Sequence, residues 1–175
     1  MLRINTIYFL FATLLLVSCN QAPGEREVPD AATLRETLAE TNKILLSAED
    51  QEIRDFIERY GWDEMQETGS GLRYWIYEPG DGKPARSGHL AVIRYDIHLL
   101  TGDLVYSSRN DGPLEFRIGR GGVESGLEEG ILLMREGDRA KFIMPAHLAH
   151  GVPGDGVKIP QRAAIVYDVE ILELK

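Results

Sequence analysis

Three groups of residues have the types and spacings that charge-based or metal chemistry would need. Glu128 and Glu129 are paired carboxylates, but neighbours on a helix point to different faces, which favours solvation or capping over acid–base catalysis. His147 and His150 lie three residues apart without a third ligand motif, which disfavours a metal site. The glycine-rich segment 119–122 lacks the Lys-Ser/Thr ending of a phosphate loop and indicates a turn. We expect neither a metal nor a cofactor.

A second group of residues could instead form an apolar hollow. Tyr95, Phe116 and Tyr167 are aromatic residues in strand-favouring segments, and each alone is more often a core residue than a site residue. Their joint order along the chain is more informative. They are interleaved with the motifs Ser107-Ser108-Arg109, Val123-Glu124-Ser125-Gly126-Leu127-Glu128-Glu129-Gly130, Ala140-Lys141-Phe142-Ile143-Met144-Pro145 and Ile165-Val166-Tyr167-Asp168-Val169-Glu170-Ile171-Leu172.

These ordered motifs resemble the core of FKBP-type peptidyl-prolyl cis-trans isomerases over residues 69–175. The resemblance implies a pocket that binds proline-containing polypeptide clients and accelerates rotation about the prolyl amide. Such rotation faces a barrier of about 18–20 kcal/mol. A dry apolar wall stabilises the twisted amide, which is less polar than the planar one, without a nucleophile or a metal.

The resemblance also implies which residues form the pocket. Tyr95 supplies a ring wall and a hydroxyl that faces the ligand, Glu124 donates its backbone N–H to a substrate carbonyl, and His150 donates from its imidazole. A histidine side chain ordinarily titrates near pH 6.5, so binding should depend on pH. The full set of implied site residues is Tyr95, Phe116, Val123, Glu124, Leu127, His150, Ile159 and Tyr167.

Several positions differ from the family pattern. Val105 and Tyr106 stand where the family usually has phenylalanine and aspartate, Leu114 replaces an aromatic residue, and Leu127 replaces a tryptophan at the pocket floor. We therefore expect a wider, less aromatic pocket that has lost its only carboxylate. Val105, Tyr106 and Leu114 are secondary pocket positions.

The elements that must position these residues are those of an α+β fold. Alternating apolar residues predict about five antiparallel strands wrapped around one short helix at 126–134. Turn sequences such as Thr101-Gly102-Asp103 separate the strands. The expected strands are residues 72–78, 90–100, 114–118, 140–144 and 164–174.

A helical segment is expected at residues 30–62, before the sheet. Asp30 can cap a first helix through Leu46, and the acids after Ser47 suggest a second cap, followed by an apolar stripe that ends at Gly61. Docking of this stripe on the chain's own sheet is favoured over partner binding. The alternative is a homodimer through the N-terminal helices, as in many secreted FKBP relatives.

The N-terminal region is typical of an export signal. Residues 1–18 carry one charge, Arg3, and a short apolar run that ends in Leu-Val-Ser-Cys, which resembles a bacterial lipobox. Cys19 is the only cysteine, which favours lipidation and a membrane anchor, with residues 19–29 as a flexible spacer. Without residues 1–18, 18 basic residues face 28 acidic residues, a formal charge of −10 that argues against nucleic acid.

Together these features predict a periplasm-facing, lipid-anchored prolyl isomerase of a bacterial cell envelope, on the inner or outer membrane. The lipobox, the helical segment and residues 71–74 are also similar to the isomerase lipoproteins of gliding Bacteroidetes. The alternative is a non-catalytic peptide-binding chaperone or assembly factor, which the residues at Val105, Tyr106 and His150 favour.

Overall fold

The computed structural model of the protein describes residues 30–175, so the expected signal peptide, Cys19 and the spacer lie outside the described residues. The boundary between two compact units of the chain falls between Thr41 and Asn42, within the first helix. This helix, α1, spans Ala31–Tyr60. Asp30 caps it, because its Oδ1 accepts the N–H groups of Ala32 and Thr33 at 2.9 and 2.8 Å.

The rest of the chain forms one antiparallel sheet with short helices. Its strands have the spatial order β1-β2-β6-β7-β3-β4, and β5 also pairs with β3. The strands are β1 (Gln66–Glu67), β2 (Arg73–Glu78), β3 (Leu90–Leu99), β4 (Leu104–Ser107), β5 (Leu114–Arg117), β6 (Arg139–Met144) and β7 (Ile165–Leu174); the helices are α2 (Ser108–Asp111), α3 (Ser125–Leu132) and a 3₁₀ turn (Ala146–Leu148).

Alternation along the strands assigns residues to the two faces of the sheet. Ile97 on β3 pairs with both Tyr106 on β4 and Tyr167 on β7, so these three side chains share a face. Tyr95, two residues earlier on β3, shares that face as well. The strands thereby bring most of the aromatic wall together.

Helix α3 lies against the same face and closes the main core. Close approach is possible because glycines face β6: a Cβ on Gly130 would lie 2.5 Å from the Phe142 ring, and one on Gly126 would lie 2.9 Å from Met144. Leu127 and Ile131 are fully buried between helix and sheet. The glycines of the sequence motif are therefore packing residues.

A smaller core lies on the opposite face of the sheet. Ile53 and Phe56 of α1 pack there against Ile143, Ala164 and Val166. Two polar contacts also join the C-terminal half of α1 to the sheet and its loops. The Glu49 carboxylate accepts the Ala146 N–H at 2.6 Å, and Asp50 pairs with the largely buried Arg73. The expected docking of the apolar stripe on the chain's own sheet is confirmed for this half of the helix.

The α+β class, the antiparallel sheet and the short central helix are confirmed, but some element counts were wrong. The sheet has seven strands where about five were expected, because β1 and β4 have only two and four residues. One continuous helix replaces the two expected at residues 30–60. Ser47 does not cap a new helix; its hydroxyl donates to the Ile44 carbonyl at 2.8 Å within α1. No helix within residues 30–175 is long and apolar enough to cross a bilayer.

Candidate active site

A cavity of about 600 Å³ opens between the sheet, the start of α3 and the loop that follows β6. Strands β3 and β7 supply one wall, the segment before α3 supplies the second, and the loop supplies the third. The residues that line it are Tyr95, Ile97, Tyr106, Leu114, Gly122, Val123, Glu124, Ala149, His150, Asp155, Val157 and Tyr167.

The backbone of Tyr95 is fixed by a hydrogen bond to the start of α2. Ser107 caps this helix by accepting the Arg109 N–H, and the next hydroxyl, on Ser108, accepts the Tyr95 backbone N–H at 3.0 Å. The Tyr95 and Tyr167 ring centroids are 6.2 Å apart. Burial, together with the charges of Asp111 and Glu124, raises the pKa of Tyr95, so its hydroxyl is a neutral donor. Within residues 30–175 this hydroxyl donates to no protein atom and can reach a ligand.

A side chain of α3 fixes the position of the segment that precedes this helix. One carboxylate oxygen of Glu128 accepts the N–H groups of Gly119 and Gly121, at 3.2 and 2.9 Å. Glu124 follows in an extended conformation, with φ −61° and ψ 142°. Its backbone N–H forms no hydrogen bond with any residue from 30 to 175. The cavity therefore has a backbone donor at the position that the sequence resemblance implies.

The Glu124 side chain does not cap α3 but crosses the cavity edge. Its two oxygens lie 3.2 and 3.1 Å from the Tyr167 hydroxyl, and Oε1 lies 3.0 Å from His150 Nε2. Burial, followed by the charge and the hydrogen bond of Glu124, raises the pKa of Tyr167 well above its usual value, so this phenol donates to the carboxylate.

This contact limits what His150 can do. When Nε2–H donates to Glu124, Nδ1 of a neutral ring is an acceptor. The donation to a substrate carbonyl expected from the sequence therefore requires the doubly protonated imidazolium.

The loop at residues 151–163 is fastened by Asp155. One of its oxygens accepts the N–H groups of Val157, Lys158 and Ile159 at 2.8, 2.9 and 2.7 Å, and the other accepts the Tyr106 hydroxyl. Burial raises the pKa of Asp155, but the hydrogen bonds from Tyr106 and these N–H groups outweigh it, so the pKa lies well below its usual range. We call the Tyr106–Asp155 contact the loop clamp.

Seven of the eleven residues named from the sequence line the cavity: Tyr95, Tyr106, Leu114, Val123, Glu124, His150 and Tyr167. Phe116, Leu127 and Ile159 do not line it; they are buried in the core against which Tyr95 and Val123 pack. Val105 is half-buried against that core, and its carbonyl accepts a hydrogen bond from Lys158 at 2.7 Å.

The expectation of a cavity without a carboxylate was wrong, because Glu124 and Asp155 both line it. Sequence reasoning missed Ile97, Gly122, Ala149, Asp155 and Val157. Ile97 could have been found, since it lies two residues after Tyr95 on a strand. Asp155 gave no such signal, because its partner Tyr106 is 49 residues away in the chain.

Within the described part of the chain, no group of three or more His, Cys, Asp or Glu side chains is placed to hold a metal ion. His147 points elsewhere, with its Nε2 3.0 Å from the Ser70 carbonyl. The cavity instead offers apolar and aromatic walls together with hydrogen-bond donors that engage no residue from 30 to 175, among them the Tyr95 hydroxyl and the Glu124 N–H. This arrangement can bind a carbonyl group beside an apolar ring.

The sequence of the chain is similar to sequences of known proteins. Residues 81–172, more than half of the chain, match the model of the FKBP-type peptidyl-prolyl cis-trans isomerase family. A probable FKBP-type isomerase, FkpA, of Neisseria meningitidis is 34% identical over 113 residues, which are 64% of this chain and 41% of that protein. The chain thus spans less than half the length of that relative.

Solved structures agree on the fold. The crystal structure of AtFKBP13 is 33% identical, with a TM-score of 0.61 over 64% of this chain and 99% of that one. FkpA from Escherichia coli has a TM-score of 0.62 at 23% identity over 98% of this chain and 81% of that one, which supports the fold alone. The family match and the cavity built on Tyr95, Val123 and Tyr167 lead to one conclusion: the chain belongs to the FKBP-type peptidyl-prolyl cis-trans isomerase family.

Proposed function

We propose that the protein is a peptidyl-prolyl cis-trans isomerase that assists the folding of exported proteins. The observation that carries the proposal is the cavity of about 600 Å³ with aromatic walls, in which the Tyr95 hydroxyl and the Glu124 N–H bond to no residue from 30 to 175. The prolyl ring lies against Tyr95, Ile97 and Tyr167. The Glu124 N–H binds a neighbouring carbonyl and fixes the peptide in the cavity.

Rate acceleration follows from the polarity of the cavity walls. The planar prolyl amide is stabilised by resonance and by hydration of its polar carbonyl. Transfer to an apolar cavity costs the planar form more than the twisted form, so the barrier falls. Each 1.4 kcal/mol of this difference accelerates rotation about tenfold.

The direct test is a prolyl isomerisation assay with the full chain in detergent micelles and a peptide that contains one Xaa-Pro bond. Isothermal titration of the same peptide measures binding independently of turnover. We expect acceleration over the uncatalysed rate at micromolar protein. Binding without any acceleration would contradict the isomerase proposal and support the second candidate.

That second candidate is a peptide-binding chaperone without turnover. A specific observation favours it: a largely apolar groove of about 470 Å³ lies between the middle of α1 and the loop after β6. Leu45, Leu46 and Val152 line this groove and remain exposed. Suppression of aggregation of an unfolded protein that contains no proline would distinguish this activity from isomerisation.

We also propose a location in the bacterial cell envelope, with a lipid on Cys19 as the membrane anchor. The support is the sequence of residues 1–19 and the presence of bacterial proteins among the relatives. Each buried CH₂ of an acyl chain contributes about 0.8 kcal/mol to membrane binding. Cys19→Ser should move the protein from the membrane fraction to the soluble fraction of bacteria that produce it. Retention of the variant in membranes would contradict the anchor.

A further inference from the structure

Glu124 places a mostly covered carboxylate at the edge of the cavity. Its side chain is 13% exposed, and that of its partner His150 is 28% exposed. A carboxylate offers about four acceptor positions. The Tyr167 hydroxyl and the His150 Nε2 are its only partners among residues 30–175, so part of its capacity remains open toward the cavity.

Among residues 30–175, no lysine or arginine lines the cavity to neutralise this charge, whereas Glu124 and Asp155 both line it. Asp155 is already fully engaged by Tyr106 and three backbone N–H groups. Lys158 lies outside, with its Nζ 4.6 Å from the centre of the Tyr106 ring. His150 compensates Glu124 only when the imidazole is protonated.

The charge also acts on the groups around it. Burial raises the pKa of Tyr167 most, and the charge of Glu124 raises it further. The same charge also contributes, after burial and Asp111, to the raised pKa of Tyr95. The field of the carboxylate therefore extends over the two rings against which a prolyl group would lie. A low-dielectric wall strengthens such a field on any charged ligand.

We propose that Glu124 is a specificity-determining residue, which makes the cavity select prolyl peptides with a lysine or arginine next to the proline. The basic side chain supplies a cation that the described residues do not place in the cavity, and an acidic side chain is repelled. The inference rests on the proposed function, because it assumes that the prolyl peptide occupies this cavity.

Two peptide series test the selectivity, one with the variable residue before the proline and one with it after. The variable residue is lysine, norleucine or glutamate, since norleucine resembles the lysine stem without its charge. We expect KM for the lysine peptide to be about tenfold lower than for the norleucine peptide in at least one series. The glutamate peptide should bind most weakly, and added salt should reduce the differences.

The matched variants are Glu124→Gln and Glu129→Gln. Both remove one carboxylate from the α3 region, but Glu129 bonds to Ser70 and does not line the cavity. Glu124→Gln should reduce the lysine-to-norleucine ratio to about twofold or less, whereas Glu129→Gln should retain it. Circular dichroism establishes that each variant is folded. If Glu124→Gln fails to fold, the three-peptide comparison and its salt dependence in the unmodified protein decide.

The outcomes separate this inference from the proposed function. Acceleration with equal KM values for all three peptides in both series would overturn the role of Glu124 and leave the isomerase function intact. An unchanged ratio in Glu124→Gln would overturn it as well. Selective binding of the lysine peptide in calorimetric titration, without acceleration for any peptide, would support the role of Glu124 and contradict the isomerase function.

Discussion

Tyr95 combines a half-buried ring with a hydroxyl that no residue from 30 to 175 engages. The Ser108 hydroxyl holds its backbone, so the ring stays in place if the phenol oxygen is removed. The hydroxyl is therefore available to a ligand carbonyl, and its contribution can be measured separately from that of the ring.

Tyr95→Phe should lower kcat/KM for a prolyl peptide about fivefold, because one hydrogen bond contributes about 1 kcal/mol. The matched control is Tyr74→Phe on β2. It removes a hydroxyl that donates to Gln66 Oε1 at 2.8 Å. The control should leave kcat/KM within twofold of the unmodified protein. An equally active Tyr95→Phe would show that the hydroxyl does not contact the substrate.

Sequence patterns located the aromatic residues of the site but not its polar contacts. Tyr95, Val123 and Tyr167 occur in segments with recognisable order and spacing. The Glu124 carboxylate meets Tyr167 across 43 residues of chain, and Asp155 meets Tyr106 across 49. Such pairs depend on strand register and loop path, which no local pattern encodes.

At the scale of elements, the contact between α3 and β6 is sensitive to a single methyl group. Gly130→Ala would place a Cβ 2.5 Å from the Phe142 ring, which is fully buried and would have to shift. Overpacking of this kind costs about 1–3 kcal/mol, which exceeds the gain in helix propensity of about 0.5–1 kcal/mol.

Gly130→Ala should therefore reduce the free energy of unfolding, measured by urea denaturation. Gly69→Ala is the matched control, because a Cβ there meets no atom within 4 Å and the backbone conformation does not require glycine. The control should change the free energy of unfolding by less than about 0.5 kcal/mol. Equal stability of the two variants would contradict the close packing of α3 on β6.

The loop clamp should give stability a defined dependence on pH. The folded-state pKa of Asp155 lies well below the usual value of an aspartate side chain. A group with a depressed pKa stabilises the fold above its unfolded pKa, and this contribution is lost as pH falls through the folded value. The clamp should therefore persist at pH 4 and weaken only on further acidification.

Asp155→Asn should destabilise the protein at pH 7, and its difference from the unmodified protein should shrink below about pH 4. Urea denaturation at several pH values measures this difference. Asp103→Asn is the control, because Asp103 is an exposed residue whose carboxylate accepts only the Thr101 hydroxyl among the described residues. A difference that stays constant from pH 7 to pH 2 would contradict a depressed pKa.

The elements themselves were predictable in proportion to their length. The ten-residue strands β3 and β7 carry enough alternation to be found, whereas β1 and β4 are held mainly by pairing with their neighbours. The helix break expected at Ser47 is absent, because the acidic residues after it bond to other parts of the fold and do not cap a new helix. Glu49 and Asp50 bond to Ala146 and Arg73, and the helix continues through them.

At the scale of the whole molecule, homodimerisation through residues 31–60 stays a prediction. Leu34 and Leu38 are 49% and 54% exposed, which fits a helix that a second copy covers. Changing both leucines to glutamate should convert a dimer to a monomer in sedimentation velocity with a density-matched detergent. Leu104→Glu, at a leucine that is 50% exposed on β4, should leave the mass unchanged. A monomeric unmodified protein would contradict the prediction.

Strand β7 lies between β6 and β3 in the sheet. Its residue Val166 also packs in the smaller core, against Ile53 and Phe56 of α1. It follows every other strand in chain order. A ribosome or an export channel that releases the chain from its N-terminus must therefore deliver Val166 before the smaller core can close, and Leu174 before the main core can close. Until then, the apolar residues of both faces remain uncovered. The protein that we propose to assist the folding of others can therefore complete its own fold only after its central strand has emerged, and its exposed apolar surface is prone to aggregation during that interval.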